Sequence, residues 1–374
     1  MAKVSGNYLI AKTLKEEGVD TLFYLMGGPN FDTIMECQDV GIKTIDFRHE
    51  QAAAMAAHAY SRVTGKPSVV MAASGPGTLN LLTGVYTASI DCAPMVVLGG
   101  ASAVHEIGRD TFQEVDQVGI MQPLCKYWHR PTMASRFPEI VSTAYRQSQS
   151  GRPGPVYIDC GGDVLYEEVE EESVPAPSRA VERTRPVATS GDIEKAISLI
   201  ADAEKPMIFA GGGAFFSGAA PELESFVDVT NIPFYTAPMS RGLIPEDHAV
   251  SFQGARSTAM RESDVVLVVG TRMNWMMNYG QRFAPNAKII QIDINEGELG
   301  HNRNIEMGIF GDAKAVMAQL LEAARHRTPD FAGALESPWI VGLREADEKR
   351  MAQTAPLLNS DQRPIHPLRL CKEI

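Results

Sequence analysis

The run Ser68-Val69-Val70-Met71-Ala72-Ala73-Ser74-Gly75-Pro76-Gly77 passes from apolar, β-branched residues straight into a turn rich in glycine and proline. Ser68 to Ala73 predicts a buried strand, and Leu79 to Ser89 beyond the turn predicts a helix. Pro94 to Gly99 is a second apolar run of strand length. Strand, helix, strand in succession implies a parallel sheet flanked by helices. The same alternation extends outward. Upstream, Asn7 to Gly18 and the Ala-rich Glu50 to Thr64 predict helices, each closed by a glycine. Thr21 to Leu25, followed by Gly27-Gly28-Pro29-Asn30, and Lys43 to Phe47 predict strands. Downstream, Gly154 to Asp159 predicts the unit's last strand.

Beyond this unit the chemistry changes. Glu167 to Glu172 carries five glutamates and Ser173 to Ser190 is rich in Pro, Ser and Arg, the composition of a solvated linker. A second α/β pattern follows. Asp192 to Ala203 and Ala313 to Arg325 predict helices, and Pro206 to Ala210, Ile232 to Thr236, Val265 to Val269 and Ile289 to Ile292 predict strands. Thr328 to Arg363 reads as a mixed, Pro-containing stretch, and Pro367 to Ile374 as the start of a helix. The expected fold class is therefore α/β with two doubly wound parallel-sheet domains. The segments are 1–166, a linker 167–190, a central domain 191–350, and a closing linker 351–374 into whatever follows.

With 34 basic against 46 acidic side chains the net charge is −12, a poor balance for binding nucleic acid or an anionic membrane. The longest apolar runs are strand-sized, so no membrane span is expected. The five cysteines (37, 92, 125, 160, 371) form no C-x-x-C pair, which argues for a reducing compartment and against a zinc site. With no secretory signal read in Met1 to Ile10, a cytoplasmic location is expected.

Asp46-Phe47-Arg48-His49-Glu50-Gln51-Ala52-Ala53-Ala54-Met55 places a carboxylate at the first turn of a small-residue helix. Such a glutamate either serves the helix dipole or, partly desolvated, shares a proton with a ring nitrogen of a ligand. The residues alone leave both open. Ser74-Gly75-Pro76-Gly77 with Asn80, and Gly27-Gly28-Pro29, are loops where backbone can approach a ligand at the C-terminal ends of parallel strands. Phe112-Gln113-Glu114 adds polar groups nearby in sequence.

The ordered set G-G-P-N, R-H-E-Q-A-A, S-G-P-G-T-x-N, F-Q-E-V-D-Q and S-G-R-P-G-P-V-Y-I-D resembles the pyrimidine-binding domain of thiamine-diphosphate enzymes. The resemblance is to the group containing acetolactate synthase, oxalyl-CoA decarboxylase and 2-hydroxyacyl-CoA lyase. It covers Met1 to about Val164, with a middle domain over about Thr184 to Arg350. It implies thiamine diphosphate as cofactor, with Glu50 bonded to N1′ of the aminopyrimidine. Gln113 would orient a substrate oxygen, and Gly27, Ser74, Pro76 and Asn80 would shape the pyrimidine pocket.

In the central domain, Gly211-Gly212-Gly213 after a strand is compatible with phosphate approach, and Gly270-Thr271-Arg272-Met273-Asn274-Trp275 stands where flavin-containing acetolactate synthases carry R-F-D-D-R. Its form resembles the CoA-dependent branch and implies ADP as a structural nucleotide. Arg152 and Arg272 would pair with the diphosphate, Asp293 and Ile294 would meet the ribose, and Asp312 the adenine. Arg256 and Ser257 would hold a phosphate of coenzyme A. Phe-Gln-Glu at 112–114 in place of Tyr-Glu-Glu argues against oxalyl-CoA decarboxylase; it fits the 2-hydroxyacyl-CoA lyases and also the acetolactate synthases, and a 2-hydroxyacyl-CoA lyase is the favoured expectation. Oxalyl-CoA decarboxylase, acetolactate synthase-like condensation of 2-oxo acids, and a nucleotide-binding scaffold subunit remain the alternatives.

Relatives hold Mg²⁺ and the cofactor diphosphate in a third domain marked by G-D-G…N, a motif this sequence lacks, although Pro364 to Leu368 resembles the entry into it. The expectation is a homodimer or homotetramer, inactive unless that domain, in the same protein or as a separate chain, is supplied.

Overall fold

The computed structural model describes residues 3–177, 184–331 and 333–374. The chain divides into two units, Met1–Thr184 and Arg185–Ile374. Part of the sequence-predicted linker, residues 178–183, lies outside the described residues.

The first unit contains β1 (Lys3–Ser5), β2 (Thr21–Tyr24), β3 (Lys43–Asp46), β4 (Ser68–Ala72), β5 (Met95–Ala101), β6 (Tyr127–His129), β7 (Pro155–Gly161) and β8 (Glu168–Glu170). Six of these strands form one sheet in the order β3-β2-β4-β5-β7-β6, every pair parallel. β4, β5 and β7 are buried along their whole length, which is why they read as largely apolar runs, with Ser68 and Asp159 as buried polar exceptions. Alternate residues serve opposite faces. Leu22, Val69, Met71, Val96, Leu98, Val156 and Ile158 pack with Leu9, Ile10 and Leu14 of helix Gly6–Glu16 and with Ile140 and Val141 of helix Phe137–Gln149. Helices Glu50–Thr64 and Leu82–Asp91 pack against one another and on the same sheet. Their close approach requires Gly84, where an added Cβ would come within 2.3 Å of the Ala54 Cβ.

From β2 the chain steps outward to β3, then returns across β2 to β4. The turns that follow β2 and β4 therefore leave from neighbouring strands at the point where the winding reverses, the place where open α/β sheets form their ligand crevice.

The acidic run is partly structured. β8 pairs antiparallel with β1, and Glu171 accepts hydrogen bonds from Lys12 (2.8 Å) and Tyr8 (3.1 Å). Glu167 accepts from the Ala134 amide at 2.6 Å. The glutamates at 167, 168, 170 and 171 thus belong to the first unit rather than to free linker.

The second unit has β9 (Pro206–Ala210), β10 (Phe234–Thr236), β11 (Val265–Val269), β12 (Lys288–Asp293) and β13 (Met307–Phe310), all parallel in the order β10-β9-β11-β12-β13. Arg185 bonds Asp312 at 2.7 Å, and the Ala188 backbone exchanges two hydrogen bonds with the Gln319 amide, so the chain is already anchored here before helix Ser190–Ala201.

The stretch expected to be mixed contains a helix, Pro338–Leu358, started by the Ser337 cap and by proline at the tolerated first position. Pro356 falls in its last turn. The helix runs through the sequence-predicted boundary at 350, and its first half is tied to the second unit, where Asp347 accepts from the Gly254 amide (2.6 Å) and the Trp339 indole donates to the Pro206 carbonyl (3.0 Å). Among the described residues no helix is long and apolar enough to cross a membrane.

Candidate active site

Glu50 opens helix Glu50–Thr64 and is only 8% exposed. The preceding His49 caps the helix, its Nδ1 accepting from the Gln51 amide at 3.1 Å. Asn80 Nδ2 donates to Glu50 Oε2 at 3.0 Å. The other oxygen, Oε1, faces Gly77, where an added Cβ would stand 3.4 Å from it and 3.1 Å from the Ala73 Cβ. A side chain at 77 would fill the space beside the carboxylate, and glycine keeps it open.

The turn carrying Ser74 and Pro76 is bracketed by two other segments. On one side lies the turn after β2. A Cβ at Gly27 would come within 2.6 Å of the Ala73 Cβ, the Ser74 amide donates to the Gly28 carbonyl (3.2 Å), and Asn30 Nδ2 donates to the Ala72 carbonyl (2.6 Å). On the other side lies the loop carrying Gln113. Ser74 Oγ donates to Gln113 Oε1 at 2.8 Å, and Gly75, at φ +55°, leaves no room for a Cβ against the Gln113 carbonyl. Gln113 itself is left-handed at φ +59°, a conformation uncommon for a residue with a Cβ.

Glu114 accepts from the amides of Gly108 (2.5 Å) and Thr111 (3.1 Å), which hold its carboxyl below the usual glutamate range and tie the loop to itself. Beside this loop is a cavity of about 150 Å³ lined by Ser102, Ile107, Gln113, Val115, Gln117 and Arg130 among others.

One buried polar group here escaped the sequence reading. Gln117 is 2% exposed; its Oε1 accepts from the Gly75 amide at 2.5 Å. Its Nε2 stands 2.9 Å from each of the Gly100 carbonyl, Tyr157 Oη and Asp159 Oδ1. Tyr157 donates to Asp159, and Arg130 Nε donates to the same carboxylate at 2.5 Å. Burial and the adjacent Asp159 push the Tyr157 phenol well above its ordinary value, so it remains a donor. Gln117 closes the F-Q-E-V-D-Q motif, but nothing in the sequence distinguished it as buried or gave it a role.

The first unit therefore gathers Gly27, Glu50, Ser74, Pro76, Asn80 and Gln113 at one edge of its sheet. Arg152 is not among them. It precedes β7 at the opposite edge, where its Nε lies 3.0 Å from Cys92 Sγ.

In the second unit, Gly211, Gly212 and Gly213 follow β9, Arg272 and Asn274 follow β11, Asp293 ends β12 with Ile294 just after it, and Asp312 follows β13, all at the strands' C-terminal edge. Two of the three glycines serve packing between neighbouring turns. A Cβ at Gly211 would meet Thr271 Oγ1 at 2.2 Å, and one at Gly213 would meet the Gly270 Cα at 2.8 Å. Asp312 caps helix Ala313–His326 and pairs with Arg185, Asn274 caps the turn at Trp275, and Asp293 accepts from the Asn295 amide at 2.9 Å. Arg256 lies 5.1 Å over the Phe209 ring, and burial together with Arg282 and Arg241 lowers its proton affinity below the usual arginine range; Ser257 beside it is exposed. Among the described residues no group of three or more His, Cys, Asp or Glu is placed to hold a metal ion.

The family model described as the N-terminal TPP binding domain of thiamine pyrophosphate enzymes matches residues 4–120, and that of the central domain matches residues 193–320. A 2-hydroxyacyl-CoA lyase of Arabidopsis thaliana is 37% identical over 85% of this chain and 56% of its own length. A probable acetolactate synthase large subunit of Methanococcus aeolicus is 36% identical over 99% of this chain and 64% of its own. An oxalyl-CoA decarboxylase of Escherichia coli is 34% identical over 86% of this chain and 58% of its own. The chain thus spans less than two thirds of the length of these relatives. With both domain models matched in chain order, each on one parallel-sheet unit, the chain belongs to the thiamine pyrophosphate enzyme family.

Proposed function

We propose that this chain forms the pyrimidine-binding and central parts of a carbon–carbon lyase that cleaves a 2-hydroxyacyl-CoA to formyl-CoA and a ketone or aldehyde. The observation that carries the reading is the buried Glu50 carboxylate, with Asn80 on one oxygen and an opening kept by Gly77 at the other. That is the chemistry an aminopyrimidine needs: one acceptor oxygen, desolvated and fixed, for one ring nitrogen. When bound, thiamine diphosphate supplies the carbon nucleophile and the electron sink for breaking the carbon–carbon bond. Glu50 Oε1 holds or returns the proton at the pyrimidine nitrogen, and Asn80 keeps Oε2 from turning toward it. The turn 74–77 forms the wall of the ring site. Gln113, fixed by Ser74 through its Oε1, directs its amide nitrogen toward a substrate oxygen.

The choice of an acyl-CoA over a 2-oxo acid rests on Arg272-Met273-Asn274-Trp275, and that of a lyase over oxalyl-CoA decarboxylase on Phe112-Gln113-Glu114, together with similarity to a 2-hydroxyacyl-CoA lyase. Arg256 and Ser257 are the proposed contacts to coenzyme A, and an adenine nucleotide at the edge of the second sheet, with Asp293 at its ribose, completes the proposal. Mg²⁺ would be held by a diphosphate-binding domain, and the site would form between subunits of a homo-oligomer. A second reading, condensation of 2-oxo acids, is favoured by the acetolactate synthase match over 99% of the chain.

The test is to assay the full-length protein, or this chain assembled with a diphosphate-binding domain, on 2-hydroxyisobutyryl-CoA, oxalyl-CoA and pyruvate separately. Consumption of the first with release of formyl-CoA is expected. Consumption of pyruvate alone with bound flavin establishes the second reading. Glu50→Gln is expected to lower kcat by about 10²–10⁴-fold while leaving the melting temperature nearly unchanged, since the amide oxygen still accepts from Asn80.

A further inference from the structure

The buried amide of Gln117 joins two segments that chain connectivity leaves separate. Oε1 takes the Gly75 N–H of the turn 74–77, while Nε2 faces three acceptors, the Gly100 carbonyl, Tyr157 Oη and Asp159 Oδ1. The orientation of the amide is fixed by chemistry, because a flipped amide would set N–H against N–H at Gly75 and oxygen against three acceptors. Asp159 is in turn held by Tyr157 and Arg130, and Gln117, Tyr157 and Asp159 are all at most 2% exposed. Gln117 lies at the end of the loop whose Gln113 bonds Ser74. Its backbone amide also donates to Val115 at 2.7 Å, which tightens that end of the loop. The turn beside Glu50 and the loop of Gln113 are thus fastened at two points, one at the surface of the site and one in the core.

We propose that Gln117 is a positioning residue. Its amide, oriented by the Tyr157–Asp159–Arg130 network, locks the turn 74–77 and the loop 108–116 into one unit, so that Gln113 keeps a fixed place relative to the Glu50 carboxylate. The inference rests on the function proposed above for its effect on turnover, but not for the coupling itself. Gln117→Leu removes both ends of the link. Gln117→Glu keeps the acceptor for Gly75 but turns a second oxygen on three acceptors, one of them a carboxylate.

Hydrogen exchange on the intact protein tests the coupling without any ligand. Both variants are expected to raise exchange in peptides covering 74–77 and 108–116 together, with β4, β5 and β7 unchanged. In the turnover assay kcat is expected to fall about ten- to a hundredfold with KM for the acyl-CoA within about twofold, the pattern of lost alignment rather than lost binding. A rise in only one of the two segments overturns the proposal, and so does a joint rise with kcat unchanged. If β4, β5 and β7 also loosen in both variants, Tyr157→Phe, which keeps the Gln117 link to Gly75 and removes only the phenol hydroxyl from the network behind it, is read by the same criteria. A wild-type assembly that consumes none of the three substrates sinks the functional reading, while the exchange result still decides the coupling.

Discussion

Glu50 is tied to the turn after β4 through Asn80. Asn80 donates to Oε2 at 3.0 Å. Asn80→Asp replaces that donor with a second carboxyl at the same distance, and like charges so close cannot both ionise easily. The expected outcome is an acid limb of the kcat/KM profile displaced to higher pH, measured by assaying the variant across pH in the assembled enzyme. Glu114 supplies a pH response of the opposite kind. Its carboxyl is held below the ordinary glutamate value by the Gly108 and Thr111 amides. A depressed carboxyl contributes loop order that is complete above the unfolded value, about 4.3, and is lost as pH falls through the lower folded value. Cleavage of 106–116 by an acid-active protease should therefore rise below about pH 4, and Glu114→Gln should raise cleavage of the same segment at neutral pH by a protease active there. The thiols separate cleanly. Burial pushes Cys37 and Cys125 up to about 12 and Cys160 higher still, whereas Cys371 is exposed. An alkylating reagent at pH 8 should label Cys371 in the native protein and spare those three, because the thiolate is the reactive form.

The strands were legible in the sequence wherever both faces are buried, since β4, β5, β7 and β11 then appear as mainly apolar runs that do not alternate. β6, a short edge strand of Tyr127-Trp128-His129, gives no such signal, and neither does β13 with its alternating exposure. Helix Pro338–Leu358 was hidden for another reason. Only Trp339, Ile340 and Leu343 of it are buried, all near its start, so the rest shows no apolar stripe. The turn glycines were legible as turns, but not as separators of packed elements. Gly84 shows the difference. It sits inside helix Leu82–Asp91, where propensity alone would favour alanine, yet its missing Cβ is what lets the helix approach Ala54. Gly84→Val should lower stability by about 1–3 kcal/mol through overpacking, read from the denaturant midpoint. Gly191→Ala, in the first turn of helix Ser190–Ala201 with no atom nearer than 3.9 Å, should instead raise it by about 0.4–1 kcal/mol.

Each unit of the molecule has its own hydrophobic core and its own reversal of winding, between β2 and β4 in one and between β9 and β11 in the other. In both, glycine-bearing turns leave adjacent strands at that reversal and press on each other: Gly27 on Ala73 in the first, Gly211 on Thr271 in the second. The first pair stands near a carboxylate with a space kept beside it; the second stands among the ends of β12 and β13 with Asp293 and Asp312. Side-chain identity was legible at both places, but the pairing of turns was not, because it depends on strand order rather than on spacing along the chain. Two ligands of different chemistry should therefore leave separate footprints. A ligand that binds only the folded state protects the segments it touches, by about 2.7 kcal/mol when present at a hundred times its dissociation constant. Saturating ADP should slow hydrogen exchange in peptides covering Gly211–Gly213, Arg272–Asn274 and Asp293–Ile294, and leave 74–80 unchanged. Thiamine diphosphate with Mg²⁺, in an assembly that has the diphosphate-binding domain, should slow exchange at 50–54 and 74–80 instead. ADP protection of the first unit, or none at all with flavin protecting the second, would reject the adenine nucleotide and leave the condensation reading in its place.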